Sequence, residues 1–203
     1  PPWKIDTARF AYGLLPEGKR SGASIATRID ELLPDGWPKR PTWIVAVRTN
    51  DGRRIVFGRD DVAGTVGQAT QASAAIPAFY TPVRIGDRSY VDGALHSSTN
   101  ADLVATLGFD LVMISSVKTA TPDARSWRSD PERAWFSNKL NNELAEIRST
   151  GTPAIVIEPD DTQLELLASG ERADACAAGR LAVERVLATS EGAGLRSVVE
   201  PAS

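Results

Sequence analysis

"YVDGALHSSTN", residues 90–100, closes the alternating run VRIGDRSY, which predicts strand, turn and strand. It then places Asp92, Gly93, Ala94 and His96, the only histidine of the chain, within five positions. An Asp-Gly dipeptide is a turn signal, because glycine supplies the positive φ that a tight turn needs. A carboxylate with no obvious charge partner, on a backbone kept bare by Gly93 and Ala94, carries a second reading. It would stand at the end of a strand, where ligand crevices form in α/β sheets. The flanking segments decide how much weight that reading bears.

Upstream, SGASIATRIDELLPDGWP predicts a helix with Ser21 or Ser24 as N-cap, an apolar stripe of Ile25, Ile29 and Leu32, and a stop at Pro34-Asp35-Gly36. TWIVAVRT is a near-continuous apolar run and predicts a buried strand. RRIVFGRD, beyond Asn50-Asp51-Gly52, is its hairpin partner. VAGTVGQATQASAAIP predicts a helix whose small residues let a neighbour approach its backbone.

Downstream, STNADLVATLGFD predicts a helix capped by Thr99 or Asn100 and closed by Gly108. LVMISSV and PAIVIEP predict buried strands. Between them SDPERAWFSNKLNNELAEIRSTG predicts a long helix, capped by Asp130, with Phe136, Leu140, Leu144 and Ile147 on one face. Asp160-Asp161 is a turn and cap for the segment after it, and residues 172–187 form a final helix. Asp102 is a first-turn helix residue and Asp110 a strand-entry turn residue. Apolar strands alternating with amphipathic helices predict an α/β fold with a mixed, largely parallel sheet covered by helices on both faces. One domain over residues 1–203 is expected, with a frayed tail at 190–203.

Composition narrows the function. With 203 residues and a net charge of −3, and no basic stripe, the chain gives no reason to expect a nucleic-acid partner. No His, Cys, Asp or Glu cluster has metal-ligand spacing, so neither a metal nor another cofactor is expected. Cys176 has no internal disulfide partner and, in the run ADACAAGRLAV, is expected to be a small buried helix residue. No run reaches the ~18 apolar residues of a membrane span, and no signal peptide is visible, so a cytoplasmic protein is expected. Trp127, Trp135, Arg125, Arg128 and Arg133 have the residue types of a membrane-surface helix. Asp123, Asp130 and Glu132 dilute them, and a solvated helix start with one aromatic on the sheet is the simpler reading.

Taken together, ASAAIPAFYTPVRIGDRSYVDGALHSSTNADL resembles the patatin-like phospholipases. The shared pattern is a small-residue helix ending in Ala-Ile-Pro, an aromatic pair, Thr81-Pro82-Val83, a hairpin, and Asp-Gly-Ala followed by an asparagine. GLLPEG at 13–18 and the strands around Trp43 and Ile55 agree in order. The resemblance implies a three-layer sandwich, incomplete at its N-terminus, and a serine–aspartate acyl hydrolase that acts on a lipid ester without cofactor. It implies that Asp92 is the catalytic aspartate, supported by Gly93, Ala94 and Asn100, and needs no histidine; His96, which a Ser-His-Asp triad around another acid would have to use, is expected instead to make a loop or helix-entry hydrogen bond. The family's Gly-x-Ser-x-Gly elbow is missing from these residues. GASIA at 22–26 lacks the second glycine, which leaves Ser24 a poor nucleophile. The nucleophile is therefore expected upstream of Pro1, and the chain alone is expected to be inactive. A catalytically silent binding or regulatory module on the same fold is the alternative. Expected partners are a lipid or ester substrate, a peripheral membrane contact, and an N-terminal fragment or second copy covering a bare sheet face beside TWIVAVRT.

Overall fold

Four apolar residues and an arginine, Ile44–Arg48 (β1), leave the loop after Trp43 and turn back through residues 49–53 into Arg54–Phe57 (β2). This is the hairpin expected at Asn50-Asp51-Gly52. Gly52 stands at φ +69°, and the Asp51 carboxylate accepts hydrogen bonds from Arg48 Nε (3.0 Å) and the Arg53 amide (3.1 Å). In this computed structural model, which describes residues 18–119, 131–168 and 170–189, the chain divides between Ser97 and Ser98 into two compact units.

In the first unit, helix Ala23–Leu32 (α1) precedes β1, and helix Val66–Ser73 (α2) follows β2. Val83–Ile85 (β3) and Arg88–Asp92 (β4) form the second hairpin, with Gly86 at φ +60° as the first central residue of a two-residue loop. The strands assemble in the order β2-β1-β4-β3, all antiparallel. The expected largely parallel arrangement does not hold for this sheet. Both hairpin loops are short and can only reverse the chain, whereas a parallel pair needs a long crossover.

Residues alternate between the two faces of this sheet. Ala46, Ile55, Phe57 and Tyr90 face α2, whose Ala69 and Ala72 are fully buried against them, and the rings of Phe57 and Tyr90 meet edge to face at 5.2 Å. On the other face Val47, Val56 and Val91 are at most 1% exposed, and Leu95 packs on Val47 and Val91.

Helix α2 begins with a capping box: the Gln68 amide donates to Thr65 Oγ1, and the Thr65 amide donates to Gln68 Oε1. It crosses α1 so closely that a Cβ on Gly67 would lie 2.3 Å from the Ala26 carbonyl oxygen. Asp30 of α1 accepts from the Gly67 amide (2.9 Å) and from Thr65 Oγ1 (2.8 Å). Backbone proximity at Gly67 thus joins the helices. The stripe expected on α1 is not a core face: no residue of α1 is fully buried, and Leu32 is 66% exposed. Its start is held from outside by Ser21 Oγ, which accepts from the Ala23 amide.

The second unit holds the parallel pair. Val112–Ser115 (β5) and Ala154–Ile157 (β6) are joined by helix Pro131–Ser149 (α3). Leu140, Leu144 and Ile147 of α3 bury against Val112, Ile114 and Ala154, as the spacing predicts, and Gly151 at φ +85° follows the helix end. The Asp130 cap and the cluster around Trp127 lie outside the described residues. Within them, the Trp135 ring meets Phe136 edge to face at 4.9 Å. Asp160 and Gln163 form a reciprocal cap at the start of Asp161–Ala168 (α4), a helix the periodicity does not predict.

Arg172–Leu187 (α5) matches its expected span. It buries Ala178 and Ala182, one turn apart, and Cys176 falls on the opposite side and is exposed. The expectation of a buried thiol fails for that reason.

Candidate active site

Asp92 is the last residue of β4, an inner strand of its sheet, and lies opposite Ala46 of β1 on the α2 face. Its amide donates to the carbonyl of Ala75 just beyond α2 (3.0 Å). Its carboxylate accepts from the Ala94 amide (2.8 Å), which caps a 3₁₀ turn at Gly93–Leu95. Two backbone contacts therefore fix where this half-buried carboxylate stands and which way it turns.

The glycine has a different reason from the turn reading. Gly93 is not in the left-handed region. A Cβ there would lie 2.4 Å from the carbonyl oxygen of Val45, so what excludes a side chain is the close passage of β1. Ala94 is half-buried. The amides of His96 and Ser97 both donate to the Gly93 carbonyl (3.0 and 3.3 Å) and tighten the chain after the turn. His96 is half-buried at the C-cap of that turn.

The loop between Ala75 and β3 borders this point. The amides of Phe79 and Tyr80 donate to the Ile76 carbonyl (3.2 and 2.9 Å), and Ala78 takes φ +66°, which side chains rarely adopt. Arg20 and Tyr80 form an isolated parallel bridge that ties the segment before α1 to this loop. Tyr90, two residues before Asp92 on the same face, has its phenol pKa pushed up by burial, which keeps it neutral.

Asn100 belongs to the second unit. It is buried and in the left-handed region (φ +49°), and its side chain caps nothing at the helix start expected there. That helix is a single 3₁₀ turn, Ala101–Val104. The capping group comes instead from the middle of α3: the Glu143 carboxylate, 6% exposed, accepts from the Ala101 amide (3.0 Å) and Thr99 Oγ1 (2.5 Å). Glu143 was legible in principle, because it shares the apolar face with Leu140, Leu144 and Ile147, where a lone carboxylate implies a buried partner. The Ala75 carbonyl that holds Asp92 leaves no such signal.

Ser24 is exposed within α1, away from any strand–turn–helix elbow. Among the described residues no His, Cys, Asp and Glu group could hold a metal ion, and no helix is long and apolar enough to cross a membrane. A cavity of about 620 Å³ in the first unit is bounded by residues 37–42 and 58–63, so the apolar crevice expected beside Asp92 is not this one. A family model described as patatin-like phospholipase matches residues 3–105, half of the chain. The chain belongs to the patatin-like phospholipase family. The patatin-like match takes in the antiparallel sheet, both of its hairpins and Asp92, and ends just after Asn100. Lipid acyl hydrolysis is the general activity that goes with this family.

Proposed function

We propose that this patatin-like chain carries the aspartate of a serine–aspartate lipid acyl hydrolase, with Asp92 as the base and a serine outside residues 1–203 as the nucleophile. A serine hydroxyl attacks an ester only when a neighbouring group takes its proton. A carboxylate does this well when its direction is fixed before the substrate arrives. The observation that carries the proposal is the double fastening of Asp92, by the Ala75 carbonyl at its amide and the Ala94 amide at its carboxylate, at the end of an inner strand. Gly93 belongs to the same device, since it lets β1 pass behind the turn. His96 has no step in this chemistry.

The test is Asp92→Asn in the protein carrying the segment upstream of Pro1, assayed on a short-chain ester. Asparagine keeps the shape and the oxygen that faces Ala94 but cannot take a proton. Hydrolysis should fall by roughly 10²–10⁴-fold, and His96→Ala should change it little. Loss in the histidine variant but not in Asp92→Asn would refute the assignment. No hydrolysis by the unmutated protein would favour the patatin-like binding module.

A further inference from the structure

The turn at residues 76–80 meets solvent with apolar side chains. Ile76 is 47% and Phe79 59% exposed, one helical turn apart in sequence and held in one tight turn by the amides that share the Ile76 carbonyl. Cations flank them. The Arg20 guanidinium lies 5.7 Å over the Phe79 ring, and Lys19 beside it is exposed. The turn is also imposed on the backbone, since Ala78 sits at φ +66°. Such an outlier persists only where its surroundings hold it. One residue before the turn, the Ala75 carbonyl accepts the Asp92 amide.

We infer that this turn, with Lys19 and Arg20, docks the protein on an anionic phospholipid bilayer and brings the Asp92 end of the sheet to the lipid surface. The inference rests on the acyl-hydrolase reading for its purpose and on the exposed side chains for its mechanism. An aromatic ring and a branched aliphatic side chain enter the boundary between headgroups and acyl chains. Cations beside them meet the anionic headgroups. The arginine already stacked on Phe79 combines both contacts at one point. A second copy of the chain would also cover apolar groups, but two cations at the patch would then face their own images, and like charges repel.

The experiment is co-sedimentation of the protein with vesicles of phosphatidylcholine mixed with phosphatidylglycerol, and with vesicles of phosphatidylcholine alone. The unmutated protein should partition to the mixed vesicles and less to the neutral ones. Ile76→Ser with Phe79→Ser should weaken partitioning by ~10-fold or more on both. Lys19→Ala with Arg20→Ala should weaken it by ~5-fold per cation on the mixed vesicles only. These side chains are exposed, so thermal melts of all variants should match the parent. The cation pair keeps the test decisive if the apolar pair does not. Asp92→Asn should partition like the parent, so a failed hydrolysis proposal is read separately from a failed docking one. Partitioning that is absent, or unmoved by either pair, would overturn the inference. So would a dimer, seen by light scattering, that dissociates when Ile76 and Phe79 are changed, because the turn would then belong to a second copy.

Discussion

A methyl group on Gly93 would sit 2.4 Å from the Val45 carbonyl oxygen, and a backbone carbonyl in the middle of a sheet cannot move aside. Gly93→Ala should therefore cost about 1–3 kcal/mol of stability, the range for overpacking a tight site. Urea denaturation checks it, and an unchanged midpoint would show that β1 yields more easily than its pairing implies. The residue types at 92–94 were legible as a special place; the reason was not. An Asp-Gly pair is read as a turn because turns are its commonest use. A close passage between segments 48 residues apart in sequence (Val45 and Gly93) leaves no local trace. The exposure of Cys176 is illegible for a similar reason: an alanine-rich run gives no face, and the buried face is set by Ala178 and Ala182.

Elements were read best where their signals are local. The hairpin of β1 and β2, the two-residue loop between β3 and β4, and the long helix α3 all follow from turn residues and periodicity. The sheet's direction is not legible in its strands, because IVAVR and RIVF are apolar on both faces, the usual mark of parallel strands. Here the second face is buried as well, so the pattern fits an antiparallel sheet. The β1–β2 hairpin also makes a prediction about acid. The Arg48 guanidinium beside Asp51 holds its carboxyl pKa down to about 2, from an ordinary 3.8, with further help from the Arg53 amide. A depressed folded-state pKa means that the contribution is present above 3.8 and is lost as the pH falls through about 2. The Asp51 side chain is 39% exposed, so solvent screening keeps the pair below about 1 kcal/mol. The parent should be more stable than Asp51→Asn near neutrality, and the gap should close as the pH approaches about 2. Urea melts across that window check it, and a gap that does not depend on pH would assign the difference to the turn's backbone contact alone.

For the molecule as a whole, the sequence has no composition break where the two units divide, since Ser97 and Ser98 lie inside a polar run with neither proline nor glycine. The only cysteine of the chain offers a simple probe of the native surface. In native buffer a maleimide should label one site per chain at the rate of an open thiol. Protection that disappears only in denaturant would mean that another surface covers α5. Asp92 and Gly93 stand side by side, yet selection acts on them through different losses. If Asp92 is the base, replacing it stops turnover and leaves a folded protein; replacing Gly93 injures the fold whether or not there is chemistry to protect. A lineage drifting toward a silent scaffold could shed the aspartate early and would still be obliged to keep the glycine. The Asp-Gly-Ala signature is thus two records written in adjacent letters, one of ancestry and one of activity, and only its first letter can tell a working enzyme from a retired one.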